Sequence, residues 1–270
     1  MNDRTHLATL AVGNTRARIG LFEGDELVAA QSFPTSDVEA IHAWLASQPH
    51  RSAQVPLLVA TVSPLASDRI ADRCRDIPWL TPVLRIGRDV PIPIKAAVRA
   101  PERVGQDRLL CAMAAWFSTE GPCVVVDVGT ATTVDYIDAE GAFQGGAIAP
   151  GIRMMLASMH SGTAALPEVA FDAVKADAEP IGKDTEHAML IGAAESIRGL
   201  VIRLVERYAE VIGTYPRVVA TGGDAGALFT GDSVVEHVVP DLQLIGMRLA
   251  FAALIESEDE GEDALEDDEL

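Results

Sequence analysis

The sequence predicts an α/β fold built as two related lobes with a cleft between them, on three observations. First, one pattern occurs twice: LATLAVGNTRARIGLFEGD (Leu7 to Asp25) and VVVDVGTATTVDYIDAEG (Val124 to Gly141) each read as a buried strand, a glycine turn, a second strand and a polar hairpin turn. Aligned on the turns, Val12 meets Val128, Gly13 meets Gly129, and Leu21-Phe22 meet Tyr136-Ile137. Second, each copy opens the same succession of strand, strand, strand, helix, strand, helix. Third, 270 residues with 49% hydrophobic content supply enough apolar material for two lobes.

Leu7–Val12, Ala17–Phe22 and Glu26–Phe33 are the first three strands, joined by Gly-Asn-Thr and Glu-Gly-Asp turns. Ser36-Asp37 caps a helix running to about Ser47. Val55–Val62 is a buried strand, Ser63-Pro64 opens a helix through Arg75, and Pro82–Ile86 is a further strand. VPIPIKAAVRAP is Pro-rich and extended, the composition of a loop that serves a site. A helix from about Gly105 to Phe117 carries Leu109, Met113 and Trp116-Phe117 at helical spacing. The second cycle follows: strands Cys123–Val128, Thr132–Ile137 and Ala142–Ile148, then a helix entered at Pro150. Thr185 to about Ile212 is a long helix, with Leu190, Ile191, Ala194, Ile197, Val201, Leu204 and Val205 on its apolar stripe. Arg217–Ala220 is a strand, Thr221 to Asp224 a tight turn, and Asp241 caps a last helix ending near Ile255. Residues 1–117 are thus expected to form the first lobe, 118–255 the second, and 256–270 a disordered acidic tail.

The net charge of −19 is unevenly placed. Glu256 to Leu270 holds ten acidic residues and no basic one, so the remainder carries about −9. Such a balance makes no basic face and argues against nucleic-acid binding. No apolar run reaches the ~18–20 residues of a membrane span. MNDRTHLATL lacks the layout of a secretion signal, and Cys74, Cys111 and Cys123 show no metal-ligand spacing. Reduced thiols in a cytoplasmic protein are expected.

A strand ending in Asp127, followed by Gly129 and Thr130, suits a metal-nucleotide phosphate site. The carboxylate is a hard oxygen ligand, and glycine lets the backbone approach phosphate oxygens. The first copy has Ala11 where the second has Asp127, so one acidic arm is missing. No Gly-rich loop ending in Gly-Lys-Ser/Thr is present, which leaves P-loop chemistry unsupported. Between the copies, Gly105 gives backbone freedom while Asp107-Arg108 lie in the first turn of a helix. Asp can accept a proton from a hydroxyl nucleophile, and Arg can fork onto a carboxylate or phosphate. Capping by Asp107 would be worth only ~0.3–1 kcal/mol. The paired glycines of ATGGDAG, after a strand and before a helix, let a flat nucleoside pack on backbone.

Taken together, AVGNT (Ala11–Thr15), VGQDR (Val104–Arg108), DVGTATTVD (Asp127–Asp135), GGAIAPGIRMML, TAALP, GKDTEHAM, ATGGDA and PDLQLIGMRL resemble the type III pantothenate kinase family, in family order over about residues 7–250. The resemblance implies two similar actin-like (ribonuclease H-like) lobes with an interlobe cleft. It implies that Gly13, Asn14 and Thr15 form a first ATP phosphate loop and that Gly129, Thr130 and Thr132 form a second. Gly222 and Gly223 would face adenosine. Asp107 would be the proton acceptor, with Gly105, Gln106 and Arg108 holding pantothenate. Asp127 would bind a monovalent cation, K⁺ or NH₄⁺, beside Mg²⁺ and ATP. Thr185 would reach substrate across a homodimer interface.

The chain departs from the family pattern at Ala11, where the family has an aspartate associated with the Mg-ATP phosphates, and in KAAVRAPERVG, which lacks the family's tyrosine before Gly105. Losing one supporting partner of a metal site typically costs ~10–100-fold. The resemblance implies ATP-dependent phosphorylation of pantothenate to 4′-phosphopantothenate, the first step of coenzyme A synthesis, lowered by the missing carboxylate. The rival expectation is an inactive paralogue that binds a nucleotide or a partner protein.

Overall fold

The computed structural model describes residues 6–49 and 54–266, with side chains up to residue 257. These residues divide into two compact units. The first takes the chain up to Ile94, Glu102–Ala114 and the chain from Gln243 onward; the second takes Lys95–Pro101 and Ala115–Leu242.

In the first unit, β1 (His6–Val12), β2 (Arg16–Glu23), β3 (Glu26–Pro34), β4 (Val55–Thr61) and β5 (Leu80–Arg85) form one sheet in the order β3-β2-β1-β4-β5. Side chains alternate across a strand, so β1 serves two cores at once. Ala8, Leu10 and Val12 pack with Ile41 and Leu45 of α1 (Val38–Ala46) and with Ile70 and Cys74 of α2 (Pro64–Cys74). Leu7 and Ala11 face the other way, towards Leu110 and Met113 of α3 (Gln106–Thr119) and Leu244 and Met247 of α8 (Leu242–Glu266). Asp37 caps α1 by accepting from the Ala40 amide at 3.1 Å, as its place before an apolar run predicts. At Gly246 a Cβ would collide with the Leu110 carbonyl, so α8 can lie directly on α3 only because that position is glycine.

The second unit repeats the connectivity. β6 (Cys123–Val128), β7 (Ala131–Ile137), β8 (Phe143–Pro150), β9 (Arg217–Thr221) and β10 (His237–Val238) are ordered β10-β9-β6-β7-β8. In both sheets three successive strands form an antiparallel meander, and the next strand returns parallel to the first of them. The duplication seen in the turns therefore extends through the sheets. One face of the second sheet is covered by α4 (Ile152–Gly162), α6 (Thr185–Ile212) and α7 (Ala225–Phe229), which bury Ile152, Leu156, Ile197, Val201, Val205 and Phe229 against Val124, Val126 and Val128. Each such large side chain is worth ~1.5–3 kcal/mol when fully buried. The stripe of α6 runs through Met189, Leu190, Ala193, Ala194, Ile197, Val201, Val205 and Ala209, the 3–4 spacing read from the sequence. Gly213 ends the helix in the left-handed conformation.

The structure departs from the sequence expectations in four places. Two short elements, α5 (Ala173–Asp177) and β10, had no signal because each is too brief to show a period. The last helix does not stop near Ile255 but continues to Glu266, through the acidic run. Glu, Ala and Leu are good helix formers, and that propensity prevails over the charge pattern that suggested a disordered tail; residues 267–270 lie outside the described residues. From Gln243 onward the chain belongs with the first unit, not with the second lobe that sequence order suggested. Finally, Lys95–Pro101 joins the second unit. Phe143 donates to the Lys95 carbonyl at 2.8 Å and accepts from the Ala97 amide at 2.8 Å, so part of the Pro-rich loop borders β8.

Candidate active site

In the first unit the turn between β1 and β2 closes on itself. The Gly13 amide donates to the Arg16 carbonyl at 2.9 Å, and the Thr35 hydroxyl donates to the Gly13 carbonyl at 3.1 Å. Asn14 and Thr15 are exposed at its tip. Asn14, Thr35, Ser36 and Arg69 line a cavity of about 230 Å³. Ala11 is 4% exposed within the apolar cluster that includes Leu110 and Met113. Its register partners are Arg18 on β2 and Ala60 on β4.

The start of α3 is held from several sides. Gln106 donates its side-chain amide to the Ile86 carbonyl at 2.9 Å, and a Cβ at Gly87 would collide with it. Gln106 thus fastens the helix start to the end of β5, a role its place in VGQDR did not reveal. The half-buried Asp107 accepts from the Arg108 amide at 2.9 Å through one carboxylate oxygen. A Cβ at Gly105 would strike that same oxygen, so glycine there leaves room for the carboxylate. Asp107 and Arg108 sit in the first helical turn, where the sequence put them.

In the second unit three segments meet at the turn between β6 and β7. The Gly129 amide donates to the Ala131 carbonyl at 3.0 Å. The Gly151 amide, at the mouth of α4, donates to the Thr130 carbonyl at 3.1 Å, and the Asp224 amide donates to the Val128 carbonyl at 3.1 Å. Gly222, at φ +96, lies against the Asp127 carboxylate and the Val128 carbonyl, where any Cβ would collide. Arg153 in the first turn of α4 forms an ion pair with Asp224 at 2.9 Å, tying the helix to the glycine turn. Arg153 also lies over the Phe171 ring at 6.0 Å. A groove of about 690 Å³, lined by Arg153, Phe171, Asp172, Lys175, Gly223 and Asp224, opens beside this turn.

Register sorts the threonines of this unit. Asp127 pairs with Thr133 and Thr221, so these three share one face of the sheet. The Thr133 hydroxyl is buried and has no hydrogen-bond partner. Thr132, expected at the phosphate loop, pairs with Val128 and is fully buried, its hydroxyl likewise without a hydrogen-bond partner; the threonine that shares the Asp127 face is Thr133. Thr130 is exposed at the turn, and Thr185 is exposed at the first position of α6, whose cap Asp184 accepts from the His187 amide at 2.8 Å. Cys74 and Cys123 are buried and unpaired, and burial pushes each thiol up to about 11. Among the described residues no helix is long and apolar enough to cross a membrane.

Comparison with known proteins bears on this arrangement. The profile of the type III pantothenate kinase family matches residues 8–207. A type III pantothenate kinase from Dehalococcoides mccartyi is 34% identical over 259 residues, covering 91% of this chain and 96% of that protein. One from Methylacidiphilum infernorum is 34% identical over 250 residues, covering 90% and 87%. Among solved structures, a Baf family protein from Campylobacter jejuni superposes with a TM-score of 0.58 at 17% identity, covering 93% of this chain and 100% of that one. MreB 5 of Spiroplasma citri, bound to AMPPNP, gives a TM-score of 0.51 at 11% identity, covering 95% and 98%. These likenesses show that the two units have the actin-like fold.

Proposed function

The chain belongs to the type III pantothenate kinase family, and from that premise we propose that it transfers the γ-phosphoryl group of ATP to the primary hydroxyl of pantothenate, with Asp107 as proton acceptor. The product is 4′-phosphopantothenate, and the reaction opens coenzyme A synthesis. The observation that carries the assignment of roles is the second turn, where Gly151 and Gly222 pack against the Gly129–Thr130 backbone and the Asp127 carboxylate in places that any Cβ would fill. A turn fixed in this way holds the Asp127 carboxylate in one place, so that charge at the site is met without reorganising.

The hydroxyl oxygen of pantothenate forms a bond to the γ-phosphorus as the bond to the bridging oxygen breaks and ADP leaves. The hydroxyl proton passes to the Asp107 carboxylate. The transition state of such a transfer is loose, so little proton transfer is needed early. Gly105 and Arg108 hold the substrate beside it, Arg108 as a fork for the pantothenate carboxylate. Gln106 contributes indirectly, by fixing the start of α3. Gly222 and Gly223 receive the adenosine, Thr130 contacts the nucleotide, and Gly13, Asn14 and Thr15 form the other phosphate turn.

Asp127 suits a monovalent cation, K⁺ or NH₄⁺. Its carboxylate shares a sheet face with the Thr133 hydroxyl, a buried oxygen in want of a partner, and hard oxygens fit such an ion. The cation would supply positive charge beside the phosphates. Thr185 at the head of α6 would serve a partner subunit's substrate in a homodimer, and a cytoplasmic site of action follows from the pathway. The inactive-paralogue alternative draws no support from the family assignment. Purified protein supplied with ATP, Mg²⁺, K⁺ and pantothenate should release ADP and phosphopantothenate in equal amounts, and absence of turnover at any nucleotide concentration would refute the proposal.

A further inference from the structure

A chain of net charge −19 repels anions, and both substrates of the proposed reaction are anions. Several cations of the molecule are set against acids: Arg73 against Glu39 and Asp76, Arg85 against Asp68, Arg198 against Asp177 and Glu195. The segment KAAVRAPER (Lys95 to Arg103), between β5 and α3, differs. It carries three cations, Lys95, Arg99 and Arg103, and one acid, Glu102. All three cations are exposed, and among the described residues none of them touches a carboxylate.

Their placement follows from the backbone. Over residues 91–100 exposure alternates residue by residue, the period of an extended chain. Lys95 and Arg99 therefore share the outward face, about 13 Å apart along it. Val98 faces β8, its Cγ1 3.2 Å from where a Cβ of Gly145 would stand. The two hydrogen bonds with Phe143 pin Lys95 and Ala97 to β8, and Pro91, Pro93 and Pro101 narrow the backbone on either side. Arg103 closes the short turn Pro101–Arg103 just before Gly105, and chain length alone keeps its backbone within about 14 Å of that of Asp107. Cations fixed on a stiff, extended strip need little further ordering when an anion arrives.

We propose that Lys95, Arg99 and Arg103 form a guide strip that draws the pantothenate carboxylate to the segment Gly105–Arg108, against the repulsion of the chain's net charge. The inference rests on the reading that pantothenate is phosphorylated beside Asp107. The strip acts on capture and not on the bond-making step, so its signature lies in kcat/KM for pantothenate and in ionic strength. Screening shortens the reach of such charges from about 30 Å at 0.01 M salt to about 3 Å at 1 M.

Initial rates at saturating ATP, fixed K⁺ and Mg²⁺, and rising tetramethylammonium chloride test it. For wild type, kcat/KM for pantothenate should fall about three- to tenfold between about 0.02 and 0.5 M ionic strength, with kcat within about twofold. Arg99→Gln combined with Arg103→Gln should lower kcat/KM about three- to tenfold at low salt, keep kcat within about twofold and converge on wild type at high salt. Arg207→Gln combined with Arg217→Gln removes the same charge from exposed positions of the second unit and should follow wild type throughout. The inference falls if wild type shows no salt dependence, if the loop pair follows wild type at every salt, if the control pair loses as much, or if kcat drops while KM holds. Each of those outcomes leaves the kinase reading intact, whereas wild type that never phosphorylates pantothenate refutes that reading and the inference with it.

Discussion

The turn after β1 and the turn after β6 are built on the same topology, yet they divide their work differently. The second is crowded: Gly151 and Gly222 press on it from two sides, and Asp127 stands half-buried beside a hydroxyl with no partner. The first is held by its own hydrogen bonds and Thr35, its β1 residue is an alanine sealed in apolar core, and its opposing residue is an arginine. Duplication preserves backbone geometry because the sheet needs it. The side chains that carry charge are free to diverge, and here they have exchanged sign.

Removing Asp107 should have the largest effect, since it acts on the proton whichever turn holds the phosphates. Asp107→Asn is expected to lower kcat by ~10²–10⁴-fold with KM for ATP little changed, read by coupled ADP release. Asp127→Ala should cost ~10–100-fold and abolish activation by K⁺, whereas Ala11→Asp should leave the K⁺ response intact. A K⁺ titration of both variants would break the comparison if they behaved alike.

The glycines sharpen it on stability. Gly222→Ala forces a methyl into the Asp127 carboxylate and the Val128 carbonyl from a left-handed backbone, and should cost about 1–3 kcal/mol in chemical denaturation. Gly129→Ala meets nothing nearer than 3.8 Å, so it should leave stability within about 1 kcal/mol while weakening nucleotide binding. The smallest effect lies away from both turns. The Arg198 guanidinium holds the Asp177 carboxyl below the usual range by hydrogen bonding to it. A lowered folded pKa means this pair stabilises above the unfolded pKa and the contribution disappears as pH falls through the folded value. Because Asp177 is largely exposed, Asp177→Asn should remove at most about 1 kcal/mol at neutral pH, and the difference should shrink as pH falls through the folded value.

The sequence made most of this visible. The paired turns, the strand-helix order and the cap at Asp37 follow from local patterns that the fold keeps. What stayed hidden was set by register or by tertiary packing. Whether Thr132 or Thr133 faces Asp127 depends on a one-residue choice of pairing that flips the face, and the turns differ by one residue: Val12 pairs with Ala17, but Val128 with Thr132. The tie from Gln106 to Ile86 joins residues distant in sequence and leaves no local mark. The continuation of α8 pitted helix propensity against charge, and composition alone did not say which would win. Comparison of the two copies flagged Ala11 as unusual; only the sheet register showed that Arg18 stands opposite it.

The account's central claim is most directly tested by measuring products. Wild type and Asp107→Asn, incubated with ATP, Mg²⁺, K⁺ and pantothenate, should be compared by mass spectrometry for 4′-phosphopantothenate and by chromatography for ADP. The account predicts one phosphopantothenate per ADP from wild type and a loss of both with Asp107→Asn. ADP without phosphopantothenate, or equal product from the two proteins, would contradict it.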